Sequence, residues 1–153
     1  MFIERLYFGV RQALYLNKIQ KQLQRITRAQ ASELIRHFDS TIKVTFVKSS
    51  YEHLETYVDF NKWSIHINDS DLVEEIILHE VGHLMCYKDE SSMNYRYHQT
   101  KYYTREEFLE TEEEAWDWAE EHATEVWGET QRLFKRACMD GYRSMKTVDM
   151  GNL

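Results

Sequence analysis

From Leu6 to Ile26 apolar residues recur at helical spacing: Leu6, Val10, Ala13 and Leu14, then Leu16, Ile19, Leu23 and Ile26. Residues three and four apart share one helix face, so the pattern predicts a long basic amphipathic helix opening the chain. A second helix is predicted over Arg28–Phe38. The period then changes to two. Ile42, Val44 and Phe46 alternate with Lys43 and Thr45, and Trp63, Ile65 and Ile67 alternate with Ser64, His66 and Asn68, as half-buried strands do. Residues 56–59 read as a further short strand, joined to the latter through Phe60-Asn61-Lys62. Together these predict a small antiparallel or mixed sheet.

After Asn68-Asp69-Ser70-Asp71 the helical period returns. Asp71 with Glu74 three residues on has the form of a capping box, in which each side chain satisfies an orphan backbone N–H. The helix it opens is predicted to run to about Tyr87. A polar, tyrosine-rich loop follows over 88–103. Thr104 with Glu107 repeats the capping pattern and opens a long helix ending near Gly128. A last helix over 129–140 meets a C-terminal stop at Gly141. Helices around one small sheet make the fold class α+β. The expectation is a single domain over 1–146, with a helical N-terminal part at 1–40 and a tail at 147–153.

Composition narrows the class of partner. The 153 residues include no Pro, so no Pro-rich linker divides them, and two Cys, too few for a disulfide scaffold. No apolar run approaches the ~20 residues that span a bilayer. Met1-Phe2-Ile3-Glu4-Arg5 lacks the apolar stretch of a signal peptide. The expectation is a soluble cytoplasmic domain with no membrane partner. Net charge is −7, yet residues 1–48 hold nine Lys/Arg against three Asp/Glu, and residues 105–129 hold eleven acids against one Arg. An acidic domain is a poor binder of phosphate backbones, so nucleic acid is not an expected partner, and the basic N-terminal third reads as solvated helix face.

The chemistry is concentrated in His79-Glu80-Val81-Gly82-His83. On a helix, residues four apart lie about 40° apart around the axis, so both imidazoles face one way. One helix can thereby offer two nitrogens to Zn²⁺ while the intervening Glu reaches the water on the metal. The flanks, Ile76-Ile77-Leu78 and Leu84-Met85, are uncharged and suit a buried helix. Two imidazoles and a carboxylate buried there without a compensating partner would be costly. A catalytic zinc takes a third protein ligand. The metzincin continuation requires Gly at position 86 and His at 89, where this chain has Cys86 and Asp89.

The acidic helix supplies a candidate. At about 100° per residue, Ala115, Ala119, Ala123 and Val126 fall within about 60° of Phe108, whereas Glu110, Glu113, Glu114 and Asp117 fall on the opposite side. Glu112 alone of these acids lies inside the apolar stripe, at about 40°. It is the expected third ligand, with His98 as its competitor. Cys86 shares the face of His79 but lies two turns on and reads as a small core residue. His37, His53, His66 and His122 lack ligand spacing and read as structural or exposed.

With these residues the chain resembles a zincin, and more narrowly the ImmA/IrrE-type metallopeptidases of bacteria, phages and mobile elements. The likeness rests on His79-Glu80-Val81-Gly82-His83 and on Glu112, Ala115, Trp118 and Ala119 within the block 112–119, and spans about residues 40–125. Trp116 stands where that family often has Asn or Asp. The resemblance implies cleavage or inactivation of a transcriptional repressor, here a separate chain because no helix-turn-helix is visible. The expected mechanism is peptide hydrolysis. His79, His83 and Glu112 hold Zn²⁺, Glu80 is general base and then general acid, and Tyr95, Tyr97, Tyr102, Tyr103 or His98 is the oxyanion donor. Residues 63–68 read either as a sheet edge along which substrate adds as an extra strand or as an interior strand with no free edge. Two other readings stay open: a SprT-like zinc protease acting on DNA-associated proteins, with His98 as third ligand, and a non-catalytic zincin scaffold that sequesters a protein partner.

Overall fold

The computed structural model describes residues 10–48, 56–99 and 103–144. Among them six α-helices and three strands follow the order α1 (Val10–Gln20), α2 (Arg28–Phe38), β1 (Lys43–Val47), β2 (Tyr57–Asp59), β3 (Ser64–Asn68), α3 (Glu74–Tyr87), α4 (Met93–His98), α5 (Arg105–Glu121) and α6 (Glu129–Ser144). The class is α+β, as the periodicities predict. Leu6, residues 49–55 and the tail lie outside the described residues, as does the capacity of 1–9 to extend the first helix. No helix of the described residues is long and apolar enough to cross a membrane.

The sheet is mixed, in the order β1-β3-β2. β1 runs parallel to β3, with Val44 opposite Ile65 and Phe46 opposite Ile67. β2 runs antiparallel to β3, with Val58 opposite Ile65. Of the two readings of 63–68 the interior strand holds, and the edge open to substrate is corrected. β3 is the central strand, hydrogen-bonded on both sides, and β2 is an edge. Trp63 is also outside the strand: it takes φ 52° at the end of the β2–β3 turn, a conformation costing about 1–2 kcal/mol in a residue with a Cβ. Its indole N–H donates to Asp39 at 3.2 Å, and the Lys88 ammonium lies 5.7 Å from its ring centroid. Asp39 also accepts from Lys88 at 2.7 Å, and these contacts hold the turn against the end of α3.

α3 is buried on all sides from Glu75 to Leu84, as expected of a helix with no polar face. Ile77, Val81 and Leu84 pack with Ile35, Ile42, Val58, Ile65 and Ile67 in a core under the sheet. On the other side Ile76 and Leu78 join Ile19 of α1, Leu23 just beyond it, Phe108 and Trp116 of α5, and Phe134 and Tyr142 of α6. The helix carrying the His-Glu-His motif is thus the wall between two apolar layers.

Several boundaries differ from the periodic reading. α1 ends at Gln20, Leu23 lies in the turn that follows it, and Ile26 comes after Arg25, which bridges Val73. Leu23 is buried there without being helical. Asp71 does not cap α3, whose N-cap is Val73 without a side-chain bond. The Asp71 carboxylate accepts instead from Thr56 at 2.7 Å and Gln20 at 3.2 Å. The stretch read as a loop over 88–103 contains α4, capped by Ser92. The Thr104–Glu107 capping box is present, but α5 stops at Glu121. The His122 ring stacks on Trp118 at 4.0 Å, Thr124 bonds back to Glu74, and Val126, read as buried, is 91% exposed. α6 continues through Gly141 to Ser144. Gly141 keeps an ordinary negative φ, and the next residue, Tyr142, is buried against Phe108.

Candidate metal centre

α3 and α5 approach closely enough to bring the second helix's carboxylate onto the first helix's imidazoles. The approach is possible because residue 82 is glycine: a Cβ there would lie 2.6 Å from the Ala115 carbonyl oxygen. Ala115 and Ala119 are small and fully buried along the same stripe. Glu112 lies one turn before Ala115 and is 4% exposed.

His79, Glu80 and His83 are all buried, each offering a ligand atom within 4.8 Å of the others, so the group could hold a metal ion. Glu112 lies outside that grouping of three but touches both imidazoles. Its Oε2 is 2.8 Å from His79 Nε2 and 3.3 Å from His83 Nε2. Glu80 Oε1 lies 3.4 Å from the other nitrogen of His79, Nδ1. The two Nε2 atoms therefore meet at Glu112, whose carboxylate could complete a ligand set with them. A tetrahedral zinc with bonds of about 2.0–2.1 Å has donor–donor edges of about 3.3–3.4 Å. The His83–Glu112 separation matches such an edge, and the His79–Glu112 separation is a hydrogen-bond length, shorter by about half an ångström.

A second set of contacts orients His83. Its Nδ1 lies 2.7 Å from Asn94 Oδ1. The Asn94 amide nitrogen donates to Thr111 O at 3.1 Å and Glu114 Oε1 at 2.9 Å, so Oδ1 is the acceptor and His83 Nδ1 carries the proton. Nε2 is then left with its lone pair, the nitrogen that would ligate a metal, as the partners of metal-binding histidines commonly arrange. Glu114, read as solvated, instead accepts from the backbone N–H groups of Met93 and Asn94 at 2.8 and 3.1 Å and pins the start of α4. Asn94 and Glu114 carry no ligand spacing in sequence. The signal for Asn94 was confined to its place after Ser92, a helix-capping residue.

His79 is fixed differently. The Trp116 ring stacks on it at 4.3 Å and 14°, so the aromatic at this position packs against the first histidine of the motif. Buried His79 Nδ1 has no hydrogen-bond partner. That orphan atom fits a metal ligand: once Nε2 gives its lone pair to an ion, the ring proton belongs on Nδ1, beside Glu80.

Charge at the site is balanced by ionisation. Burial is the largest influence on His83 and lowers its pKa, but the Glu112 charge and hydrogen bond, the Glu80 charge and Asn94 together raise it to about 9. Burial likewise pushes Glu112 up, and the two histidines more than reverse it, leaving the carboxylate well below its ordinary range. Without metal the pair is an imidazolium and a carboxylate. With a divalent ion, the ion takes over the imidazolium's role as counter-charge.

Cys86 is no ligand. Burial, then the nearby Glu114 carboxylate, pushes its thiol up to about 12. His98, the competing ligand, packs on Phe60 at 4.4 Å and Tyr87 at 5.3 Å, outside the buried ligand group. It borders a cleft of about 220 Å³ that His83 and Asn94 also line, along with Tyr97, Tyr103 and all three residues of β2. Of the other tyrosines considered as oxyanion donors, Tyr95 packs on Tyr87 and Tyr102 lies outside the described residues. His66 stacks on Tyr57 and His122 on Trp118, as structural histidines, and His37 edges against Phe38. No family model matches this chain, and neither a curated protein nor a solved structure matches it.

Proposed function

We propose that this chain is a zinc-dependent endopeptidase of the ImmA/IrrE type, hydrolysing a peptide bond in a protein substrate. The observation that carries the reading is the convergence of His79 Nε2 and His83 Nε2 on Glu112 Oε2, with His83 at the wall of an open cleft. A structural site would have no use for that opening or for a second buried carboxylate, Glu80, beside the ligands.

His79, His83 and Glu112 would hold Zn²⁺, which would acidify a water and polarise a carbonyl. Glu80 takes the proton of the attacking water on its carboxylate and delivers it to the leaving amine. Asn94 keeps His83 in the tautomer that presents Nε2. β2 receives the substrate. Tyr57, Val58 and Asp59 all border the cleft although alternate side chains point to opposite faces, so it is the strand's backbone edge that faces it. A peptide laid there adds main-chain hydrogen bonds. Tyr103 and His98 line the cleft as candidate donors for the oxyanion, whereas the Tyr97 hydroxyl donates to Glu110. The resemblance names a transcriptional repressor as the substrate to try first.

The test is the appearance of new N-termini, read by mass spectrometry, when the zinc-loaded protein meets a proteome-derived peptide library and candidate repressors. Wild type should cut, and Glu80→Gln should cut at least about 100-fold more slowly while keeping its zinc. Equal cutting by both proteins would remove the assigned base. Partner binding without new N-termini in either would leave the scaffold reading.

A further inference from the structure

Resting on the peptidase reading, the geometry points to a subsite for a basic substrate side chain, Arg in preference to Lys, in the cleft between β2, α4 and the start of α5. The cleft measures about 220 Å³, below the roughly 300 Å³ at which small-molecule pockets begin. It is of a size for one large side chain. Because the β2 edge borders it, a peptide paired with that edge would turn alternate side chains toward it.

The walls are aromatic and the charge is of one sign. Phe60, Tyr97, His98 and Tyr103 line the cleft, and among the described lining residues none is Lys or Arg and Asp59 is the one carboxylate. Asp59 Oδ1 accepts the Lys62 backbone N–H at 3.0 Å, which leaves Oδ2 for a ligand. Phe60 is held by Tyr87 at 5.0 Å and by His98, so its ring is in place before substrate arrives. Burial lowers the pKa of His98 against the opposing pull of Asp59, so at neutral pH its ring adds no positive charge. Behind Tyr97 stands Glu110, which accepts the tyrosine hydroxyl at 3.0 Å and deepens the negative potential. A planar guanidinium can stack on an aromatic face while it hydrogen-bonds a carboxylate, and an ammonium does the first less well. A carboxylate side chain would meet Asp59 with like charge.

The experiment uses the zinc-loaded full chain and quenched fluorescent peptides in which each position near the cut is varied among Arg, Lys, Leu and Glu. At one position kcat/KM for Arg should exceed that for Leu by about tenfold, with Lys between them and Glu lowest. Asp59→Asn should bring the Arg-to-Leu ratio close to one. A ratio is used because a general loss of folding lowers both values together. Cleavage without an Arg preference, or a preference that survives Asp59→Asn, overturns the subsite and leaves the peptidase reading intact. The same peptides are also titrated against zinc-loaded Glu80→Gln by fluorescence anisotropy. Arg peptides bound about tenfold more tightly than Leu peptides, with no cleavage by wild type, would keep the subsite and overturn the peptidase. Neither binding nor cleavage overturns both.

Discussion

Replacing Gly82 by Ala tests whether the close approach of α3 and α5 is what builds the metal centre. The new Cβ would sit 2.6 Å from Ala115 O, 3.3 Å from Ala115 C and 3.2 Å from Trp118 Cε3. The nearest of these is backbone and cannot turn away. Ordinary contact begins at 3.4 Å, so the helices must part by about 0.8 Å at this point. Ala is the better helix former by about 1 kcal/mol, while overpacking costs about 1–3 kcal/mol. Net destabilisation of the metal-free protein should therefore be modest, about 0–2 kcal/mol. The metal is less forgiving, because ligand distances hold to within about 0.2 Å and Glu112 rides on the helix that is displaced. Zinc affinity should fall at least about tenfold, measured by competition with a chromophoric chelator, alongside urea unfolding of the metal-free protein. Gly128→Ala is the control, since its Cβ meets only the movable Gln131 side chain at 3.3 Å. A Gly82→Ala protein binding zinc as tightly as wild type would refute the argument that this contact sets the ligand spacing.

Three further outcomes follow from the same geometry. His83 is raised in the folded, metal-free protein from 6.5 to about 9, so its pairing with Glu112 stabilises fully below about pH 6.5 and is lost as pH rises through about 9. Glu112, depressed, contributes above its ordinary range and is lost only in strong acid. Urea unfolding of metal-free protein should thus weaken by on the order of 3 kcal/mol between pH 6 and 9, a slope that Glu112→Gln should flatten. Asn94→Ala removes the acceptor for His83 Nδ1 and should weaken zinc binding about 10–100-fold, read by the same chelator competition. Thr104→Ala removes the α5 capping box and should lower stability by about 1 kcal/mol in chemical denaturation, with zinc affinity unchanged.

The legible parts of this chain were those where local pattern and tertiary environment agree. α2 and the end of α3 fall where periodicity put them, and Glu112 was found because one acid interrupts an otherwise apolar stripe. The misread parts are long-range decisions. Nothing local distinguishes a central strand from an edge, so the pattern of 63–68 leaves both open, and only the pairing of β1 with β3 in parallel decides. Asp71 had a capping residue three positions on, but Thr56 and Gln20 compete for its carboxylate from elsewhere in the fold. Gly141 looked like a stop, yet burial of Tyr142 keeps the helix going. Glu114 lies on the polar side of α5 by helical angle, and only the arrival of α4 over that side gives it partners. Asn94 was unreadable for the same reason, since its role depends on a contact with His83 that no spacing rule encodes.

Zinc stoichiometry by elemental analysis of wild type, Glu112→Ala and Glu80→Gln, purified with zinc and stripped of loosely held ion, tests the ligand assignment most directly. The account predicts one zinc per chain in wild type and in Glu80→Gln, and much less in Glu112→Ala. Full zinc in Glu112→Ala, or loss in Glu80→Gln, would contradict it: the first would move the third ligand away from α5, and the second would make Glu80 a ligand rather than the base.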